Sequence, residues 1–435
     1  APCMIRLSEL EPMIIPTNGF FDFNIFSSFR VFLNNFNQKI SLNYYVLQKL
    51  FVVMSKVLGI IGGGQLGMML TEAAHNMKEE ISKIIVLDPT ENCPASKVGA
   101  EQIIADFKDE DAIKKLSELS DIITYEIESG DSDTLKKLEA YTEINPSPDT
   151  LKIIQDKLLQ KQFLQNNGIP VAEFAIIENK EELDQMIDKM GLPLLLKMRK
   201  DAYDGRGNYK INSKSEIDDA LDLFSGKSLM VEKFIKFEKE VSVIAARNTK
   251  GEIATYPVVE NIHENNILKM TIAPGRVSEN VKKQAERIAE KTMEVLHGAG
   301  VFGIEMFVTS DDEILINEIA PRVHNSGHHT LQSSDTSQFE QHLRAILGMN
   351  LGDVLIKSPT IMYNILGPAT FQGEYNVLCP KKNNIFLKMY GKLESKPQRK
   401  IGHINIVDKD NSGMNELLTQ VEDLKKNLVI EPKQT

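Results

Sequence analysis

The run Gly303-Ile304-Glu305-Met306-Phe307-Val308-Thr309, then Ser310-Asp311-Asp312, then Glu313-Ile314-Leu315-Ile316-Asn317-Glu318-Ile319 reads as two strands around a tight acidic turn. Its β-branched and apolar content is that of strands. With Asp311-Asp312 as a two-residue turn, Ser310 pairs with Glu313, and the register carries Glu305 directly opposite Glu318. Opposed side chains in such a ladder stand about 4.5–5.5 Å apart at Cβ, and like charges there are destabilising. A fold that keeps the pair needs a cation between them, and hard oxygen donors suit Mg²⁺ or Mn²⁺. Asn317 adds an oxygen beside them, and Pro321-Arg322-Val323-His324-Asn325 follows at once. The plainer reading is an exposed hairpin with solvated acids, since Asp-Asp is not a preferred hairpin turn.

Around this hairpin the chain is 435 residues long, enough for two or three domains with substantial cores. The excess of 61 acidic over 50 basic residues argues against a general nucleic-acid or membrane surface. Anionic substrates need only a local positive cluster. Three cysteines, Cys3, Cys93 and Cys379, are too few and too scattered for a disulfide framework or thiolate metal site, so a cytoplasmic setting is expected. No apolar run reaches the roughly 18 residues of a spanning helix. Residues 1–53 are rich in Phe, Asn and Leu and poor in charge, with acidic residues sparse after Glu11. They read either as a targeting segment or as sequence upstream of a natural start at Met54; the second is favoured because Arg is scarce and no compact cleavage pattern occurs.

Lys56–Ile61 reads as a buried strand, followed by Gly62-Gly63-Gly64-Gln65-Leu66-Gly67, a helical pattern through Met77, and a second strand from Ile84 to Asp88. This is a doubly wound unit, with Gly62, Gly64 and Gly67 at the spacing of a dinucleotide fingerprint. Alone the signal is weak, because the glycines serve equally for a tight turn and close helix packing. A third strand, Asp121–Glu126, ends in Glu126-Ile127-Glu128, where such sheets place ligands. The Asn145-Pro-Ser-Pro segment marks a boundary.

Beyond it, a helix carries Asp156-Lys157, and strand Leu194–Lys197 precedes a basic glycine-rich loop, Arg199-Lys-Asp-Ala-Tyr-Asp-Gly-Arg-Gly-Asn208. Gly205 and Gly207 permit close backbone approach, and successive amides can form an anion-binding nest. An exposed hairpin turn describes the loop as well, and it is no Walker A motif. Glu232-Lys233-Phe234-Ile235 end an apolar strand able to meet an adenine edge, with Glu240 able to accept from ribose hydroxyls; an ordinary strand with an exposed acid is the alternative. His263 falls in what reads as a polar loop, where capping is its plainer role. Arg322, His324, Asn325 and His328 crowd the segment after the hairpin. Lys392 with Arg399-Lys400-Ile-Gly-His403 forms a second basic cluster, by default a solvated charge run.

In this order, the elements resemble the ATP-grasp superfamily. Tyr203-Asp-Gly-Arg-Gly207, Asn317-Glu-Ile-Ala-Pro-Arg-Val-His-Asn-Ser-Gly-His328 and Arg399-Lys-Ile-Gly-His403 resemble the signatures of the N5-carboxyaminoimidazole ribonucleotide synthetase family across roughly residues 54–410. The resemblance implies an α/β and α+β molecule: an ATP-grasp fold with an amino-terminal doubly wound, Rossmann-like pre-ATP-grasp domain and a small β-rich carboxyl-terminal domain. The expected divisions are 1–53 as an extension, 54–150, 151–350 with a lid at about 193–230, and 351–435. It implies ATP- and bicarbonate-dependent carboxylation of 5-aminoimidazole ribonucleotide through carboxyphosphate, in purine biosynthesis, by a homodimer.

By the same resemblance Lys157 and Lys197 contact the nucleotide phosphates, and Ala202, Tyr203, Asp204, Gly205, Arg206, Gly207 and Asn208 close over them. Glu232, Lys233, Phe234 and Ile235 line the adenine, Glu240 holds the ribose, and His263 lies near the phosphates. Glu305 and Glu318 carry Mg²⁺ or Mn²⁺, with Asn317 beside the nucleotide. Tyr203, Asp204, Arg322, His324, Asn325, Lys392 and Arg399 gather bicarbonate and the ribonucleotide. Gln65, Leu66, Glu126, Glu128 and Lys400 complete the substrate side. Lys-Asp-Ala before Tyr203, where relatives often carry glycine, and the His328-His329 pair depart from the pattern. The alternatives are another ATP-grasp ligase, such as a formate-dependent glycinamide ribonucleotide transformylase or a biotin carboxylase, a nicotinamide oxidoreductase built on the glycine-rich unit, and a nucleotide sensor without turnover.

Overall fold

A computed structural model describes residues 55–201 and 207–433, all within the unit Met54–Thr435. Ala202, Tyr203, Asp204, Gly205 and Arg206 therefore lie outside the described residues. Five parallel strands, β1 (Lys56–Ile61), β2 (Ile81–Leu87), β3 (Glu101–Ile103), β4 (Ile122–Tyr125) and β5 (Glu143–Ile144), form a sheet in the order β3-β2-β1-β4-β5. Their near-continuous apolar runs suit strands covered on both faces. Helix α1 (Gln65–His75) follows β1 and buries Leu66, Met69 and Leu70. The carboxyl ends of β1, β2 and β4 bring Gly62, Asp88 and Glu126 together, at the edge where open parallel sheets bind ligands.

Helix α2 (Lys157–Asn166) leads into a four-stranded antiparallel sheet. Its strands are β6 (Phe174–Ile177), β7 (Leu194–Met198), β8 (Asn208–Ile211) and β9 (Leu229–Lys233), ordered β6-β9-β7-β8. The basic loop joins β7 to β8. The largest sheet is antiparallel and follows, with β10 (Lys239–Arg247), β11 (Ile253–Thr255), β12 (Val259–Glu264), β13 (Ile267–Ala273), β14 (Gly300–Val308), β15 (Ile314–Ala320) and β16 (Thr360–Leu366). Helix α3 (Glu279–Val295) covers it with Val281, Ala285, Ala289 and Met293, one every fourth residue, so a single stripe faces the core. Ser278 caps that helix through the Val281 N–H. Helix α4 (Gln338–Ile346) packs between this sheet and α1.

In the tail, β17 (Tyr375–Leu378) pairs with β20 (Val429–Pro432), while β18 (Ile385–Met389) and β19 (Lys400–Val407) join β16. Strands β18 and β19 thus extend the central sheet, in the order β15-β14-β10-β12-β13-β16-β19-β18, while β17 and β20 form a two-stranded sheet of their own.

Two hairpins differ from their sequence reading. Thr309 N–H donates to Glu313 O at 2.9 Å, so the acidic turn has three residues, Ser310–Asp312, and Asp312 takes the left-handed conformation with φ 58°. Met306 faces Ile316, yet Glu305 faces Glu318, leaving Asn317 as an extra residue. This β-bulge cancels the shift introduced by the longer turn. Glu305 and Glu318 are opposed as expected, by two compensating departures from the regular ladder. The segment around His263, read as a loop, is instead a hairpin: β12 and β13 turn through Asn265 and Asn266, both left-handed with φ 52° and 62°. Paired left-handed residues are what a two-residue hairpin turn requires.

Candidate active site

The bulge decides which side chains share a face. Ile314, Ile316 and Ile319 are buried in one core cluster, so the alternation slips by one residue between 316 and 319. Asn317 and Glu318 are both left partly exposed, across from Glu305. Glu305 keeps 23% of its side-chain exposure and Glu318 keeps 43%, so both line a cleft rather than the core. Burial, with the charges of Glu318 and Glu240, pushes the Glu305 carboxyl up to about 7, against the pull of His263 and Lys400. For Glu318 the cleft walls also disfavour charge, but Lys157 and Lys197 hold it below the usual carboxylate range.

Lys157 reaches Glu318 at 2.8 Å from the first turn of α2. Asp156, which caps α2, also accepts from Arg199 Nε and Nη2 at 3.0 and 2.6 Å, and Lys157 N–H donates to Arg199 O. The start of the basic loop is thereby tied to the lysine beside it. Lys197 on β7 pairs with Glu232 on β9, and Lys161 reaches the other Glu232 oxygen at 2.7 Å. Burial acts against the Glu232 charge, but Lys161 and Lys197 outweigh it and bring its pKa to about 2. Lys161 escaped the sequence reading: it lies one helical turn from Lys157, a spacing that could have marked it. Lys233 is exposed, Phe234 lies under the Lys210 ammonium at 3.9 Å, and Ile235 is half-buried.

Glu240 on β10 meets His263 Nδ1 at 2.7 Å. Burial works against the charged ring, yet Glu240, with Glu305 behind it, raises its pKa above the ordinary histidine value. His324 Nε2 lies 3.5 Å from Glu305, and burial with the nearby Arg322 and Lys400 charges drops its pKa to about 3. Arg322 reaches Glu128 at 2.8 Å across the cleft. Lys392 donates to Gln65 Oε1 at 2.8 Å and to Lys400 O at 2.7 Å, so the tail's basic cluster meets the first domain rather than bulk water.

Other expected residues stand apart from this cluster. Leu66, in the first turn of α1, is buried in the core, which leaves only its backbone to a substrate. Asn325 is buried and exchanges amide hydrogen bonds with Asn364 at 3.1 and 2.6 Å. Arg399 is exposed and turns back on Glu394 O at 3.2 Å. Gly207, with φ 100°, and exposed Asn208 follow the undescribed part of the loop.

The glycine-rich turn serves a different purpose from that of a dinucleotide fingerprint. A Cβ on Gly62 would lie 2.5 Å from Glu126 Cγ, and one on Gly64 2.7 Å from Glu126 Oε1. Gly64 N–H, at the start of α1, donates to that same oxygen at 2.7 Å. The position where a pyrophosphate would sit is filled by the chain's own carboxylate. Burial lifts Glu126 to about 7, against the Gly64 N–H and the Arg322 charge. Asp88, placed to hold a ribose in that fingerprint, accepts instead from Gly63 N–H and Thr90 N–H, each at 2.8 Å. The nicotinamide reading loses its support here.

Among the described residues no group of three or more His, Cys, Asp and Glu side chains forms a complete metal cage. Two opposed carboxylates with an adjacent amide oxygen nonetheless fit Mg²⁺ or Mn²⁺, because Mg²⁺ is usually held by one or two carboxylates together with substrate phosphates and water.

Comparison with known proteins agrees with this geometry. Residues 162–339 match the family model for the ATP-grasp domain, 54–155 that for the ribonucleotide synthetase preATP-grasp domain, and 360–417 that for the phosphoribosylaminoimidazole carboxylase C-terminal domain. The N5-carboxyaminoimidazole ribonucleotide synthase of Bacillus subtilis is 39% identical over 361 residues, 83% of this chain and 94% of that protein. The crystal structure of N5-carboxyaminoimidazole ribonucleotide synthetase from Thermotoga maritima matches with a TM-score of 0.78 at 42% identity, over 87% of this chain and 100% of that one. N5-carboxyaminoimidazole synthase from Aspergillus clavatus, solved with ADP and 5-aminoimidazole ribonucleotide, gives 0.78 at 35% identity, over 86% and 98%.

Proposed function

The chain belongs to the N5-carboxyaminoimidazole ribonucleotide synthase family, and from that premise we propose a role for each part of the cleft. The enzyme is an ATP-dependent carbon–nitrogen ligase of purine biosynthesis, joining bicarbonate to the exocyclic amine of 5-aminoimidazole ribonucleotide while ATP becomes ADP and phosphate. The observation that carries the site assignment is the opposed pair Glu305 and Glu318 with Lys157 drawn onto it.

Bicarbonate is a poor electrophile and must first be activated. In the proposed sequence a bicarbonate oxygen attacks the γ-phosphorus and ADP leaves, giving carboxyphosphate. Its carbon–oxygen bond then breaks to CO₂ and phosphate, and the amine attacks the CO₂ carbon, losing a proton as the carbamate forms. Phosphoryl transfer of this kind rests on positioning and on neutralising charge. Glu305 and Glu318 would hold a divalent cation, which supplies positive charge to the phosphates. Lys157 and Lys197 leave Glu318 and Glu232 for the phosphates, while Lys161 stays behind as countercharge to Glu232. Glu232 to Ile235 take the adenine, Glu240 the ribose, and His263 and Asn317 the phosphate end. Ala202 to Asn208 close over the nucleotide and keep water from carboxyphosphate.

Arg322, His324, Lys392 and Arg399, with Tyr203 and Asp204, gather bicarbonate and the ribonucleotide. Gln65, the Leu66 backbone, Glu126, Glu128 and Lys400 complete that side, with Asn325 bracing it through Asn364. Asp204 and the product phosphate are the two acceptors for the amine proton. The proposed divisions are 54–150, 151–350 and 351–435, and the proposed assembly is a homodimer in the cytoplasm, which light scattering and fractionation test. Among the described residues no helix is long and apolar enough to cross a membrane. The direct test is ADP release with bicarbonate and the ribonucleotide omitted in turn. Release that needs both supports the reading, and activation by formate in place of bicarbonate overturns it.

A further inference from the structure

Behind the cleft, one imidazole joins the two halves that carry the reactants. Val301 N–H on β14 donates to His342 Nδ1 at 3.0 Å, so that nitrogen is the acceptor. A neutral ring then carries its proton on Nε2, which lies 2.7 Å from Thr124 Oγ1 on β4 and donates to it. Thr124 and His342 have no exposed surface. Gly300 makes room for the ring, since a Cβ there would sit 3.1 Å from His342 Cε1. Burial brings the ring's pKa down to about 3, which keeps the neutral form and both bonds.

The placement matters more than the bonds themselves. Thr124 stands two residues before Glu126 and four before Glu128, on the ribonucleotide side, and Val301 stands four before Glu305, on the nucleotide side. We infer that His342 is a positioning residue for carboxyl transfer, holding β4 and β14 at the separation that sets the ribonucleotide amine against the carbon released from carboxyphosphate. The inference rests on the reaction assigned above. Stability does not require this link alone, because Asn145 Oδ1 accepts from Ala299 N–H at 3.0 Å and Thr150 Oγ1 donates to His297 O at 2.6 Å along the same seam. With those bonds intact, loss of the Thr124 contact leaves the halves joined but free to shift. The groups assigned to ATP and the metal lie on the β14 side, so the phosphoryl step is spared, while carboxyphosphate formed there meets a displaced amine and breaks down unused.

The test compares Thr124→Val, which keeps the shape and loses the oxygen, with Thr124→Ser, which keeps the oxygen. His342→Asn is the second variant: its amide oxygen still accepts from Val301 N–H but its side chain falls short of Thr124. ADP released per ribonucleotide consumed is measured for each, with the ATP KM and the melting temperature. The expected ratio is about one for the parent and Thr124→Ser, rising to several for Thr124→Val and His342→Asn at unchanged ATP KM, as misplacement by about 1 Å suffices to cost transfer. A parent-like ratio in Thr124→Val, whatever its melting temperature, overturns the inference. A parent enzyme that releases no ADP with bicarbonate and ribonucleotide overturns the assigned reaction instead.

Discussion

Each carboxylate in this cleft takes its character from its burial and from the charges it faces. Glu232, between Lys161 and Lys197, is held strongly ionised, while burial, with Glu318 and Glu240 facing it, pushes Glu305 up to about 7. A pair in which one member resists ionisation is a site that a divalent cation completes. Replacing Glu318 with Ala is therefore expected to lower bicarbonate-dependent ADP release by about 100-fold or more, in the range seen when a charge-stabilising group is lost. Circular dichroism should show the fold retained, since Glu318 lies in the cleft and not in the core; near-parent turnover would contradict the metal role. The glutamate pair was readable from sequence because strand pairing is local and acids opposed across a ladder are conspicuous. Lys161 had only its spacing from Lys157 to mark it and His342 had nothing, because the contacts that give them meaning, to Glu232 and Thr124, are distant in sequence. The directions of the Leu66 and Arg399 side chains were not legible either, because they depend on packing that no pattern carries.

At the scale of elements, a three-residue turn and a bulge together place Glu318. The turn slips the ladder one way, and Asn317 returns it. The bulge was legible in principle, as the core residues Ile314, Ile316 and Ile319 break the two-residue period. The same rule would have found the hairpin at Asn265-Asn266, whose residue types favour left-handed turns. One extra residue in the exposed turn Ser310–Asp312 is expected to leave ADP release within about twofold, because loop length costs little. Deleting Asn317 instead moves the adjoining strand by about 3.3 Å or reverses its faces. ADP release is then expected to fall by about 100-fold or more, since catalysis is sensitive to misplacement near 1 Å. Equal activity of the two variants would show that the bulge has no part in placing Glu318.

For the whole molecule, the central sheet gathers strands from β10 to β19, and the buried polar groups along its seams set how the enzyme answers acid. His324, His329, His342 and His403 have pKa values brought to about 3, chiefly by burial, against 6.5 when unfolded. Being neutral when folded and charged when unfolded, they stabilise the fold above pH 6.5 and lose that contribution as pH falls towards 3. Glu126 and Glu305, raised to about 7 from 4.5, act in the opposite sense between those values. Stability to urea should therefore fall gently from pH 6.5 to 4.5, where the two glutamates offset only part of the histidine loss. Below that the two glutamates no longer offset the histidines, and the decline steepens by about 3 kcal/mol per pH unit. A decline spread evenly from pH 7 would contradict the assignment of these groups. The claim on which the function depends, that ATP is used to phosphorylate bicarbonate, is tested most directly by supplying bicarbonate labelled with ¹⁸O. The oxygen that attacks phosphorus stays with it when CO₂ departs, so the phosphate released should carry one labelled oxygen; unlabelled phosphate would contradict the account.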